Sequence, residues 1–203
     1  MERMHDLFGP GSNVPGRVVR DYGKVAAVVE ACRQLGLRIG LTSGTWDLFH
    51  VGHSRYLEAS KKLCDVLIVG VDSDEKVRQR KGPNRPIVGE DERLEILCHC
   101  RHVDMVFLKQ PDDPRWELIR VVQPDVLIVT QEAYPPEELS EIKGLCGEVV
   151  VLEPQATTST TAKIRLVLVA HIHEIKVQLD EALDRVKETL HSFLDGLTGG
   201  EGS

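Results

Sequence analysis

The stretch RIGLTSGTWDLFHVGHSRYLEASKKLCDVLIVGV, residues 38–71, holds two short apolar runs separated by a segment with helical periodicity. RIGLTS (38–43) and DVLIVGV (65–71) are short and mostly apolar, with β-branched residues in both, which is typical of buried strands. The segment between them, from about Gly52 to Leu63, is predicted to be a helix. A strand, a helix and a second strand in this order predict a parallel crossover unit.

The same alternation continues on both sides of this unit. Further helices are predicted over 22–35, 89–100, 114–122 and 136–145, and further strands over 103–108, 125–129 and 148–153. Continuous Val, Ile and Leu runs are typical of strands that are covered on both faces. The sequence therefore predicts an α/β fold, a doubly wound, Rossmann-like parallel sheet of about five strands, with ligands at the carboxyl ends of the strands.

Around this sheet the chain divides into four predicted segments. They are a loose leader over 1–21, the α/β domain over 22–166, a C-terminal helical extension over 167–198 and a disordered tail over 199–203. In the extension, apolar residues recur at steps of three and four: Ile172, Ile175, Leu179, Leu183, Val186, Leu190, Phe193 and Leu197. Such a seam either packs on its own domain or pairs with a second copy, and a homodimer is the assembly we expect.

The composition limits the classes of ligand. A formal net charge of −7 gives no whole-protein attraction to nucleic acid or to an anionic membrane surface, so an anionic ligand needs a local positive site. No apolar run approaches the roughly 20 residues of a membrane span, and the first thirty residues lack a signal-peptide pattern, so we expect a cytoplasmic protein. The five cysteines are expected to be reduced thiols, and CHCRH (98–102) is only a weak metal pattern.

The loop GTWDLFHVGH (44–53) follows the first of these strands and opens the next helix. Backbone N–H groups and the helix dipole make this position an anion site, and Gly44 and Gly52 let the backbone approach a ligand closely. His50 and His53 can be brought to the same side of the turn, where two imidazoles could stabilise charge on a phosphate. The plain alternative is that both histidines only cap the turn.

Together with STTAKIR (159–165), this loop resembles the cytidylyltransferase-like nucleotidyltransferases, whose hallmark is a G-x-F-D-x-x-H-x-G-H loop and a later S-T segment. Trp46 stands where that family has Phe, and the resemblance runs from about Leu35 to Leu166. It implies attack of an acceptor phosphate on the α-phosphorus of a nucleoside triphosphate, with release of pyrophosphate. It also implies that the histidines bind the triphosphate and stabilise the transition state, and that Mg²⁺ accompanies the triphosphate.

The resemblance further implies roles for individual residues. Lys81, in RKGPNRP, would act in catalysis by contacting both the acceptor phosphate and the α-phosphate, and Asp74 would lie near the acceptor. The implied nucleotide-binding residues are Gly44, Thr45, Trp46, Asp47, Gly52, Arg93, Ser159, Thr160 and Thr161. Each has an ordinary alternative: an exposed loop lysine, a buried or capping aspartate, a surface arginine, or a simple N-cap. No metal-binding cluster is predicted.

Two resemblances favour different nucleotides. HCRHVDMV (99–106) resembles a segment of choline-phosphate and glycerol-3-phosphate cytidylyltransferases, which favours CTP. RKGPNRPIV (80–88), and PDVLIV (124–129) followed by YPPEEL (134–139), resemble heptose-1-phosphate adenylyltransferases and archaeal FAD synthetases, which favours ATP. The R-T-E-G-I segment of the cytidylyl enzymes is replaced by PQATT (154–158). The sequence places CTP slightly ahead of ATP.

The acceptor is expected to be a small phosphorylated or phosphonylated compound, and the residues do not choose among such compounds. Two alternatives to cytidylyl transfer stay open. One is adenylyl transfer from ATP to a sugar phosphate of the heptose-1-phosphate type. The other is a regulatory dimer that binds a nucleotide without turnover.

Overall fold

The computed structural model describes residues 14–131, 135–153, 168, 171–172 and 175–190. The chain forms two compact units, Met1–Thr157 and Thr158–Ser203. In the second unit, residues 175–190 form a helix. The predicted site residues Ser159, Thr160 and Thr161 lie outside the described residues, as do PQATT and the GGEGS tail.

The first unit alternates helices and strands along the chain. Its elements are α1 (Val14–Arg17), β1 (Val18–Val19), α2 (Tyr22–Gln34), β2 (Ile39–Gly44), α3 (Val51–Lys61), β3 (Val66–Asp72), α4 (Asp74–Lys81), α5 (Glu90–His99), β4 (Met105–Lys109), α6 (Glu117–Val122), β5 (Val126–Thr130), α7 (Pro136–Lys143) and β6 (Glu148–Leu152).

The strands form one six-stranded sheet in the order β1-β4-β3-β2-β5-β6. Every pairing is parallel; Leu41 of β2, for example, lies opposite Ile68 on one side and Leu127 on the other. The chain runs outward from β2 in one direction through β3 and β4 and in the other through β5 and β6, so the strand order reverses beside β2. The predicted doubly wound parallel sheet is confirmed, and its ligand crevice is expected at that reversal.

Side-chain alternation along the strands builds a core on each face of the sheet. In β3, Val66 and Ile68 belong to the cluster that includes Val25 of α2 and Leu118 of α6. Leu67 and the other alternate residues of β3 join a second cluster, which includes residues from α3 and α5. Because both faces are covered, the strands of the sheet centre are mostly apolar, and this is why they were predictable to within about two residues.

Three elements were not expected from the sequence. Residues 14–19 fall in the predicted leader, yet they form α1 and β1, and β1 adds a sixth strand by pairing Val18 with Val106. The stretch Asp74–Lys81 forms α4, where Ser73 is the N-cap and its Oγ accepts from the Lys76 backbone N–H. A two-residue strand, and a helix whose single buried residue is Val77, carry too few apolar positions to show a period.

The described cysteines are all free thiols. Burial raises the pKa of Cys98 and that of Cys64, each to about 11, so neither thiol is activated. Among the described residues, no group of three or more His, Cys, Asp or Glu side chains is arranged to hold a metal ion, CHCRH included.

Within the same described part of the chain, none of the helices has the length and the apolar character that a membrane crossing requires.

Candidate functional site

A cleft of about 800 Å³ opens at the carboxyl ends of the central strands. Its lining includes Gly44 and Thr45 after β2, Asp72 at the end of β3, Lys109 at the end of β4 and Thr130 at the end of β5. A second depression, of about 640 Å³, lies at the amino ends of the strands. The cleft at the carboxyl ends is where a ligand was predicted, and it adjoins the histidine loop through Gly44 and Thr45.

His50 is the N-cap of α3. Its Nδ1 accepts a hydrogen bond from the Gly52 N–H at 3.0 Å, so in neutral His50 the proton lies on Nε2. The ring of His50 stacks on that of His53, with centroids 4.0 Å apart and planes 18° from parallel. Helix capping therefore accounts for the hydrogen bond of His50 Nδ1, but it does not explain why the ring of His53 is stacked against that of His50.

Aromatic side chains hold His53 in place. Its ring centroid lies 5.5 Å from that of Trp46 and 5.3 Å from that of Phe49. The Trp46 indole is only 6% exposed, and its Nε1 donates to the Gly70 carbonyl at 3.1 Å. Trp46 was predicted to bind the nucleotide. The structure places its side chain in the core beneath the loop, and the backbone at Trp46 is left-handed, with φ of 60°.

Asp47 holds the next loop against the histidine loop. Its buried carboxylate accepts hydrogen bonds from the Arg85 guanidinium at 2.9 Å and from the N–H groups of Ile87 at 3.1 Å and Val88 at 3.0 Å. Burial would raise the pKa of Asp47, but these hydrogen bonds and the charge of Arg85 outweigh it and lower the pKa. These contacts give Asp47 a positioning role, and its predicted contact with the nucleotide stays a prediction.

Arg93 is buried completely, with 0% of its side chain exposed. It donates to the carbonyls of Thr45 and Asp72, to that of Val88 at 2.9 Å, and to the Asp74 carboxylate at 2.7 Å. Arg93 was predicted to contact the nucleotide, with a surface helix arginine as the alternative. The alternative is wrong, because Arg93 is buried and bonds to the backbone and the carboxylate that shape the ends of β2 and β3. Its contact with the nucleotide stays a prediction.

The remaining predicted residues divide between the cleft and its supports. Lys81, at the end of α4, lines the cleft and forms no hydrogen bond or ion pair with the described part of the chain. Burial, then the nearby Arg80 charge, lowers the pKa of Lys81. Thr45 also lines the cleft, and its Oγ1 accepts from Arg80 at 2.9 Å. Asp74, predicted to face the acceptor, is not part of the cleft lining, because its carboxylate is turned towards Arg93.

Of the charged residues that line the cleft, only Lys81 was predicted. The others are Asp72, Lys76, Arg80, Lys109, Asp113, Arg115, Glu117 and Glu138. Asp72 and Lys109 are the last residues of β3 and β4. The rule that ligands lie at strand carboxyl ends would have found those two, had it been applied to every predicted strand. Lys76 lies on α4, and because this helix was not predicted, the place of Lys76 in the cleft could not be predicted either.

A family model described as cytidylyltransferase-like matches residues 41–187. The bifunctional protein HldE of Geotalea uraniireducens is 38% identical over 152 residues, 72% of this chain and 31% of the relative. HldE of Syntrophotalea carbinolica is 37% identical over 172 residues, 83% of this chain and 34% of the relative. The chain thus spans about a third of the length of the curated relatives it matches.

Solved structures are also similar to this chain. A lipopolysaccharide core biosynthesis protein from Thermoplasma volcanium is 31% identical, with a TM-score of 0.51 over 58% of this chain and 97% of that one. A pantoate-beta-alanine ligase from Francisella tularensis, complexed with beta-gamma ATP and beta-alanine, is 14% identical, with a TM-score of 0.50 over 67% and 66%. The second likeness concerns the fold alone.

Proposed function

This chain belongs to the cytidylyltransferase-like family, and on that premise we propose that it is a nucleotidyltransferase that moves the adenylyl group of ATP onto the phosphate of a small sugar phosphate. The observation that carries the proposal is the stacked pair His50 and His53 at the start of α3, next to a cleft that Lys81 lines. Nucleotide binding without turnover would not require two imidazoles placed together at a helix N-terminus.

The reaction follows from the groups present. An oxygen of the acceptor phosphate attacks the α-phosphorus of the nucleotide, the bond from that phosphorus to the bridging oxygen breaks, and pyrophosphate leaves. His50 and His53 donate to phosphate oxygens as charge builds on them, and the first turn of α3 adds its dipole. Lys81 supplies a point charge between acceptor and nucleotide. Catalysis is then positioning plus charge stabilisation, and no covalent enzyme intermediate is needed.

Two observations favour ATP over CTP, against the preference drawn from the sequence. The similarity to HldE proteins supports the adenylyl alternative better than the cytidylyl one. The segment HCRHVDMV, which favoured CTP, lies at the amino end of β4, away from the cleft. There Asp104 accepts from the Leu67 N–H at 2.6 Å and pairs with Lys61 at 2.5 Å, so its role is structural.

A sugar phosphate is the acceptor class we propose. The solved relative from Thermoplasma volcanium is a lipopolysaccharide core biosynthesis protein, and a lipopolysaccharide core is built from sugars. The segment RKGPNRPIV, which resembles heptose-1-phosphate adenylyltransferases, borders the site: Lys81 lines the cleft, and Arg85, Ile87 and Val88 bond to Asp47.

Mg²⁺ is proposed to enter with the triphosphate. Magnesium binds phosphate oxygens and keeps several waters, so it does not require a cage of protein ligands. The described residues, which contain no group of three possible metal ligands, fit an ion held in this way. The ion would neutralise phosphate charge, while the residues of this chain bind and orient the phosphates.

The test is pyrophosphate release from ATP or CTP with Mg²⁺ and a panel of sugar 1-phosphates. We expect kcat/KM to be at least ten-fold higher with ATP than with CTP, and His53→Ala to abolish most of the activity. His99→Ala, on the exposed face of α5, is the matched control and should behave as wild type. A preference for CTP, or a His53→Ala variant as active as wild type, would contradict the proposal.

A further inference from the structure

The cleft contains a group of charges that the proposed reaction does not use. We define the basic corner as Asp72, Lys76, Arg80 and Lys109, at the ends of β3 and β4 and on α4. The Asp72 side chain is 2% exposed, and its two oxygens are taken by Arg80 Nη2 at 2.9 Å and Lys109 Nζ at 3.2 Å. One buried carboxylate therefore holds two cations at the floor of the cleft.

Positive charge at this corner exceeds negative charge. Lys76 Nζ donates to the Gln110 carbonyl at 2.8 Å, so it is held in place by a neutral acceptor. The pKa of Lys76 is lowered, first by burial and then by the charge of Lys109. The surroundings of Lys76 therefore destabilise its charged form. An anion that entered here would meet ammonium and guanidinium groups already fixed in position.

The opposite wall of the cleft cancels only part of this charge. Arg115 there is paired with Glu138 at 3.2 Å and with Glu141 at 3.4 Å. The negative charge of Asp113 raises the pKa of Lys76, but the Asp113 carboxylate also accepts a hydrogen bond from the Gln110 N–H at 2.7 Å. The three cations of the corner and Lys81 face three carboxylates, those of Asp72, Asp113 and Glu117 of α6. One net positive charge is therefore left in this part of the cleft.

Lys76 of the corner and Lys81 of the proposed reaction centre lie on the same helix and line the same cleft. Lys76 and Lys81 are five residues apart on α4, which is about 7.5 Å along the helix axis at a rise of 1.5 Å per residue. This is comparable with the width of a sugar ring that carries substituents on opposite sides. An acceptor whose reacting phosphate lies at Lys81 would thus bring its far end to Lys76.

From this geometry we infer that the basic corner binds a second anionic group of the acceptor, a carboxylate or a second phosphate. The inference rests on the proposed function, and it narrows the acceptor to a sugar phosphate with two anionic groups. Asp72 positions Arg80 and Lys109, while Lys76 and Lys109 bind the second anion. The charge pattern thus sets acceptor specificity, separately from the histidines that act on the α-phosphorus.

The experiment compares three acceptors with ATP and Mg²⁺: a hexose 1-phosphate, a hexose 1,6-bisphosphate and a hexuronic acid 1-phosphate. We expect wild type to have a kcat/KM at least ten-fold higher for one of the two doubly anionic acceptors than for the singly phosphorylated one. The better of the two identifies the second group as phosphate or carboxylate. Lys76→Gln and Lys109→Gln should each reduce this ratio at least ten-fold, mainly through KM.

Lys62→Gln, an exposed lysine of α3 paired with Glu58, is the matched control and should leave the ratio unchanged. Equal kcat/KM for all three acceptors in wild type would overturn the inference. So would an equal loss of ATP affinity in Lys76→Gln, because the corner would then hold a nucleotide phosphate. If no acceptor turns over, the proposed function fails. In that case calorimetric titration would measure binding of the bisphosphate. Weaker binding to Lys109→Gln than to wild type would still support anion binding at the basic corner, and equal binding would overturn it.

Discussion

At the scale of single residues, His50 combines two roles that can be separated by substitution. Its Nδ1 caps α3, while its ring stacks on His53 and carries the proton on the far nitrogen when neutral. Asparagine caps a helix as well as any residue but has no imidazole.

We therefore expect His50→Asn to keep the thermal unfolding midpoint of wild type and to lower kcat about 10²- to 10³-fold, the usual loss for one transition-state donor. The measurements are thermal unfolding and steady-state pyrophosphate release. A variant with kcat within three-fold of wild type would mean that His50 serves only as a cap.

Asp47 gives a prediction about pH. Its pKa is lower in the folded chain than the value of about 3.9 expected in the unfolded chain, so its hydrogen bonds stabilise the fold above that pH. The stability is lost as the pH falls through the folded pKa. Asp47→Asn should reduce the free energy of unfolding by about 1–3 kcal/mol at pH 7.

The difference between wild type and Asp47→Asn should shrink as the pH falls below about 4. Urea unfolding at a series of pH values, down to the lowest at which both proteins fold, measures it. A constant difference at every pH would show that the charge of Asp47 does not stabilise the loop.

At the scale of elements, Arg93 ties α5 to the ends of two strands and to the start of α4. Arg93→Met would keep the length of the side chain but leave the partly buried Asp74 carboxylate and three carbonyls without their donor. We expect a loss of about 3–5 kcal/mol in the free energy of unfolding. Arg78→Met, on the exposed side of α4, should change it by less than about 0.5 kcal/mol. A loss below about 1 kcal/mol for Arg93→Met would contradict this role.

The predictability of these elements followed from how much apolar pattern each carries. The long Val and Ile runs of β3 and β5 gave the parallel sheet, because buried strands must be apolar on both faces. β1 and α4 were missed because two residues, or one buried valine, cannot establish a period. The function of Arg93 could not be predicted either, since its partner Thr45 is 48 residues distant in the chain.

At the scale of the whole molecule, the second unit gives an assembly prediction. The helix at 175–190 exposes large apolar side chains at steps of four, four, three and four: Ile175, Leu179, Leu183, Val186 and Leu190. We propose that this seam pairs with that of a second copy.

Sedimentation velocity should show a dimer for the full chain and a monomer for Leu183→Glu, with Gln178→Glu as the control that stays dimeric. A monomeric wild type, or a dimeric Leu183→Glu, would contradict the pairing.

The proposed function depends on one step, the attack of an acceptor phosphate on the α-phosphorus of ATP. The most direct measurement uses a sugar 1-phosphate whose phosphate oxygens are ¹⁸O, incubated with unlabelled ATP, Mg²⁺ and the full chain, and locates the label by mass spectrometry. We predict a nucleoside diphosphate sugar with ¹⁸O in the bridge between the two phosphorus atoms and none in the pyrophosphate. Label in the pyrophosphate, or bound ATP that yields no product with any acceptor, would contradict the account.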